Sequence, residues 1–142
     1  MKKTGLILVW LAGSFCLKAQ DIRKVSITEL KTIIAQSKTP LVVNFWATFC
    51  VPCVEEIPYF QRMTEAFKEK KVSLLLVSMD MPEDYPGNIR AFAKAHGFTA
   101  PIVWLNESDA DYYCPRIDSS WSGVIPATLF INMKTGYRKF AE

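Results

Sequence analysis

Apolar positions along this chain follow two spacings, and the switch between them marks out the elements. Ser26-Ile27-Thr28-Glu29 has the form of a capping box, and Ile27, Leu30, Ile33 and Ile34 then recur at helical spacing. The predicted helix stops near Ser37, because Pro40 disfavours helical backbone before it. Leu41 to Ala47 is a short apolar, β-rich run that reads as a strand covered on both faces. A helix is predicted from about Cys50 to Lys70, with Ile57, Phe60, Met63 and Phe67 on one stripe and Pro58 as a kink point. Val72 to Met79 reads as a second buried strand, Asn88 to His96 as a shorter helix ended by Gly97, and Pro101 to Leu105 as a short strand. Asn106 to Gly123 is polar and reads as irregular. Ala127 to Asn132, a turn at Lys134-Thr135-Gly136 and Tyr137 to Phe140 form a hairpin. Such an order predicts one α/β domain built on a central mixed β-sheet with helices on both faces.

The first residues follow neither spacing. Met1-Lys2-Lys3 is basic, Gly5 to Leu17 carries no charge, and Lys18-Ala19-Gln20-Asp21 closes the run. A basic start followed by about 13 apolar residues fits a secretory signal peptide over 1–19, since a membrane span wants about 20. An uncleaved anchor, or a lipoprotein form using Cys16, is the alternative. The segment also changes the charge picture. The whole chain has 17 Lys plus Arg against 14 Asp plus Glu, and residues 1–19 hold three of those cations and no acid. The remaining 14 of each leave no basic surface for nucleic acid or polybasic membrane contact.

Candidate chemistry centres on Cys50-Val51-Pro52-Cys53, where the first buried strand passes into a helix. At a helix N-cap, free backbone N–H groups and the helix dipole favour thiolate over thiol at Cys50. Cys53 lies one turn on and can close a small disulfide ring with it. Pro52 falls in the first turn, where its missing N–H costs little. Other readings compete with redox chemistry. A zinc site would have to recruit Cys114 and His96, no second CxxC being present. Covalent haem attachment needs His after the second cysteine, and Val54 stands there. A purely structural disulfide is the remaining rival.

Asn44-Phe45-Trp46-Ala47-Thr48-Phe49-Cys50-Val51-Pro52-Cys53 resembles the thioredoxin superfamily active site, and the continuation Val54-Glu55-Glu56-Ile57-Pro58 is similar to the TlpA/ResA branch of secreted thiol-disulfide oxidoreductases. A second motif, Gly123-Val124-Ile125-Pro126-Ala127-Thr128-Leu129-Phe130-Ile131, resembles the loop bearing that family's cis-proline. The resemblance runs from about Leu41 to Phe140. It implies a thioredoxin fold with Cys50 as attacking thiolate, Cys53 as the more buried resolving thiol and Pro126 as a cis-proline. The backbone at Ile125 and Pro126 would then pair with an extended client strand. With Glu142 directly after the last strand, the family's C-terminal helix is expected to be missing.

Three positions refine the expectation. Asn44 stands where thioredoxin has a buried Asp, and Glu56 matches the Glu that replaces it in the secreted branch. On a helix, Glu56 shares the face of Cys53 at i+3 and could take its proton. The alternative is that it serves only the helix dipole, as Glu55 is expected to. Phe49 replaces the usual Trp but keeps an aromatic rim, and Trp46 and Trp121 are the other expected client contacts. Cys114, in a polar loop-like stretch, is left over. Val51-Pro52 holds no cation to favour a thiolate, and Glu55 and Glu56 disfavour one, which pushes the couple towards reductant.

The expectation is therefore an envelope-located protein disulfide reductase working through a Cys50–Cys53 dithiol. It needs no bound cofactor, acts on protein thiol or disulfide clients (apocytochrome c thiols among them), and is recharged by a membrane electron donor of CcdA/DsbD type. An oxidase or isomerase using the same residues, or a non-catalytic binding module, is the alternative.

Overall fold

The computed structural model describes residues 21–142; the proposed signal segment, its cleavage point and Cys16 lie outside them. Ten helices and strands follow in order: β1 (Arg23–Val25), α1 (Ile27–Ala35), β2 (Leu41–Trp46), α2 (Val51–Ala66), β3 (Ser73–Ser78), α3 (Gly87–Ala95), β4 (Ile102–Leu105), α4 (Ala110–Ile117), β5 (Ala127–Asn132) and β6 (Tyr137–Ala141). The strands form a single sheet in the order β1-β4-β3-β2-β5-β6. The first four run parallel, while β5 is antiparallel to β2 and β6 to β5. The expected mixed sheet with helices on both faces is what the chain builds.

Strand β2 is buried at all six positions, so its alternate side chains feed two cores. Val43 and Phe45 join Ile27, Leu30 and Ile34 of α1 and Cys114 and Ile117 of α4 on one face. Val42 and Trp46 join Cys53 and Ile57 of α2 and Ile89 and Ala93 of α3 on the other. The capping box of α1 forms as read, with the Ser26 side chain accepting from Glu29 N and the Glu29 carboxylate accepting from Ser26 N.

Three departures from the expected elements have physical causes. Strand β1 was not legible: only Val25 of its three residues is buried, and its support is β4, about 80 residues downstream. The stretch read as irregular contains α4, capped by Asp109, whose side chain accepts from Asp111 N and Tyr112 N. Pro115 inside α4 and the polar residues around it hid a short buried stripe of Cys114 and Ile117. Helix α2 ends at Ala66, short of Lys70; a single 3-10 turn over Lys68–Lys70 follows, and Lys71 turns the chain with φ of 53°. Pro58 sits inside α2, which runs on through it.

Candidate active site

The parallel arrangement brings the ends of β2 and β3, the start of α2 and the loop before β5 to one edge of the sheet. Cys50 is the N-cap of α2, with Pro52 in the first turn, and its Sγ accepts from Cys53 N–H at 3.4 Å. Cys50 and Cys53 are joined by a disulfide across a Cα separation of 5.3 Å. Cys50 is 8% exposed and Cys53 fully buried, so only the first sulfur can be reached from outside.

The turn that presents Cys50 is tied to β3 by one side chain. Asp80 is buried, its Oδ1 accepts from Thr48 N at 2.9 Å and Thr48 Oγ1 at 2.6 Å, and its Oδ2 accepts from Ser78 Oγ at 2.7 Å. Its backbone oxygen accepts from Trp104 Nε1 at 2.8 Å. Sequence reading did not single out Asp80; the only trace was a lone acid directly after an apolar strand.

A small polar group ties α2 to the sheet. Asn44, fully buried on β2, donates through Nδ2 to Glu56 Oε1 at 2.6 Å and to Thr128 Oγ1 at 3.0 Å. Asn44 Oδ1 accepts from no described protein group. Half-buried Glu56 therefore points at the sheet from α2, one turn beyond Cys53. Burial pushes its carboxyl above the usual carboxylate range, and the Asn44 bond offsets part of that.

The client-contact residues divide. Phe49 is 61% exposed beside Cys50, where a rim contact was expected. Trp46 and Trp121, expected at the rim, are buried instead at 0% and 5% exposure. Trp46 packs edge-on against Phe98 at 5.3 Å, in the same buried cluster as both cysteines. Trp121 lies on Phe45 at 4.5 Å and donates from Nε1 to Val124 O at 2.9 Å, bracing the loop from behind. Val51 and Val124, inside the two motifs but not singled out as contacts, are also exposed apolar side chains. Ile125 and Pro126 are half-buried, the bond between them is cis, and Gly123 has φ of 94°, a region open mainly to glycine.

Cys114 is a free thiol buried on α4, not in a loop. Among the described residues, no three His, Cys, Asp or Glu side chains gather as metal ligands would, so Cys114 and His96 do not join the cysteine pair. No helix among them is long and apolar enough to cross a membrane.

A profile of the AhpC/TSA family matches residues 11–135, most of the chain. The chain belongs to that family. Among relatives of this AhpC/TSA-family chain, the thiol-disulfide oxidoreductase ResA of Geobacillus thermodenitrificans is 36% identical over 97 residues, which is 68% of this chain and 51% of the relative. The thioredoxin-like protein YneN of Bacillus subtilis is 29% identical over 112 residues, 78% of this chain and 62% of the relative. The chain thus spans roughly half to three-fifths of these relatives' length. Among solved structures, a thioredoxin-related protein from Neisseria meningitidis serogroup B superposes with a TM-score of 0.63 at 26% identity, over 76% of each chain. StoA from Bacillus subtilis superposes at 0.56 and 27% identity, again over 76% of each. The fold of this family member is thioredoxin-like.

Proposed function

We propose that this chain is a thiol-disulfide oxidoreductase acting as a reductant of protein disulfides. The observation that carries the reading is the Cys50–Cys53 bond at the N-terminus of α2, with one sulfur reachable, the other buried, and Glu56 one turn further along the same helix. Similarity to proteins named thiol-disulfide oxidoreductases supports it. In the reduced enzyme the helix N-terminus stabilises the Cys50 thiolate, which attacks one sulfur of a client disulfide and expels the other as thiolate. Glu56 takes the proton of Cys53, and the Cys53 sulfur attacks Cys50 in the mixed disulfide. The client sulfur leaves as thiolate and Cys50–Cys53 closes. Two electrons pass from the enzyme dithiol to the client, and one proton rests on Glu56 until it reaches solvent.

Phe49, Val51 and Val124 offer the client an apolar rim, and the backbone at Ile125 and Pro126 offers strand pairing. The apolar N-terminal segment supports a location in the cell envelope. There the oxidised enzyme would be recharged by a membrane dithiol donor of CcdA/DsbD type, with cytochrome c maturation as one candidate setting.

Reduction of insulin by dithiothreitol tests the activity. The chain should accelerate it and Cys50→Ser should abolish the acceleration; full activity in Cys50→Ser would leave a structural disulfide in a binding module. Redox titration tests direction. A potential near the thioredoxin value of about −270 mV supports a reductase, and one near the disulfide isomerase value of about −180 mV sinks it.

A further inference from the structure

Asn44 is the one polar side chain of β2, and it is fully buried with its whole donor capacity committed. A primary amide has two N–H groups. One goes to Glu56 Oε1 at 2.6 Å, the other to Thr128 Oγ1 at 3.0 Å on β5, while Oδ1 accepts from no described protein group. Both N–H groups of Asn44 are thus spent on side chains of two other elements, Glu56 of α2 and Thr128 of β5. The geometry therefore assigns the function to the NH2. We propose that Asn44, anchored on Thr128, is the positioning residue that holds the Glu56 carboxylate towards the sheet as the acceptor of the Cys53 proton. The assignment rests on the proton-acceptor role of Glu56 given above, and it concerns a fully buried residue out of reach of a client.

The surroundings leave Asn44 as the main lever on that carboxyl. The facing strands, Leu-Val-Val-Asn-Phe-Trp of β2 and Ala-Thr-Leu-Phe-Ile-Asn of β5, contain no titratable group. On α2, Glu56 shares a shallow surface pocket with Pro52, Glu55 and Tyr59, and Cys53 lies one turn back. Arg62 of the same helix is turned onto the Tyr59 ring. Across β5, register sets Ala141 of β6 opposite Thr128, and Lys139, opposite Phe130, is exposed. Burial raises the Glu56 carboxyl and the Asn44 bond is the single opposing influence. A donor that bonds the charged form favours that form, so Asn44 keeps Glu56 available as a base nearer neutral pH.

The test is an NMR titration of the Glu56 carboxyl in the oxidised full chain, which needs no enzymatic turnover. Asn44→Leu keeps the branched outline and removes the donor; the Glu56 midpoint should rise by about one pH unit. Thr128→Val, which removes only the anchor, should raise it by less and serves alone if Asn44→Leu fails to fold. An unchanged midpoint in a folded variant overturns the proposal. Kinetics supply a second readout, the release of thionitrobenzoate as Cys53 resolves the mixed disulfide at Cys50. Asn44→Leu should shift that pH profile to alkaline by the same amount, yet change the rate less than about twofold in a Glu56→Gln background. Equal slowing in both backgrounds would mean a merely structural role and also overturns it. Loss of insulin reduction as the assigned activity would leave the titration result standing, so the two failures can be told apart.

Discussion

Replacing Asp80 by alanine should loosen the turn that carries Cys50 and destabilise the whole domain. Three side-chain bonds disappear, from Thr48 N, Thr48 Oγ1 and Ser78 Oγ, while the backbone bond to Trp104 survives. Bonds to a charged acceptor contribute about 1.5–3 kcal/mol each, or some 4–9 kcal/mol gross. Removing the carboxylate also relieves its own burial, which cost several kcal/mol, so the net loss is about 3 kcal/mol. Ser78 is fully buried and its hydroxyl is left without an acceptor, whereas half-buried Thr48 can turn partly to water. At about 3–4 °C per kcal/mol for a domain of this size, the melting temperature should fall by roughly 10 °C. Asp80→Asn is the control. Its oxygen can keep both Thr48 bonds and its amide can donate to Ser78, so the loss should stay near 1 kcal/mol. Thermal unfolding followed by circular dichroism reads both variants, and the rate at which iodoacetamide alkylates reduced Cys50 reads the turn. An alanine variant melting within about 2 °C of the parent, or no further than the asparagine variant, would refute the reasoning.

Two further outcomes follow from buried ionisable groups. Burial raises the Glu56 carboxyl on folding, so the folded state binds that proton more tightly than the unfolded chain. Stability is therefore undiminished below the ordinary carboxylate range and falls as pH rises through the raised value; Glu56→Gln should be more stable than the parent at neutral pH and equal to it in acid, as urea unfolding at both pH values will show. Cys114 is buried and its thiol is pushed up, first by burial and then by the charges of Asp111 and Glu142. In the oxidised native chain the peptide containing Cys114 should resist maleimide at neutral pH and label fully in denaturant; rapid native labelling, read by peptide mass, would contradict the packing of α4.

Cys50-Val51-Pro52-Cys53, the capping box at Ser26 and the apolar runs of β2, β3 and β5 were legible because each is decided within one turn or a few strand positions. N-cap chemistry, helical spacing and strand hydrophobicity depend on neighbours in the chain. The loop ending in Pro126 was legible through its resemblance to a known motif. What escaped reading depends on distant partners. Strand β1 exists because β4 pairs with it, and α4 exists because Cys114 and Ile117 find a core on the α1 face despite Pro115. Trp46 and Trp121 read as rim residues because adjacency to a motif does not say which way a side chain faces. Strand β2, covered on both faces, turned Trp46 into the core it shares with α2 and α3, and Trp121 packs inward on the Phe45 ring. The sequence by itself determined where the sulfur chemistry sits and which helix end activates it. Only the tertiary structure brought Asn44, Glu56 and Thr128 together from β2, α2 and β5, and Asp80 up to Thr48. A buried polar group must find its partners wherever folding places them, and those contacts cross from 12 to 84 residues of chain that no local pattern spans.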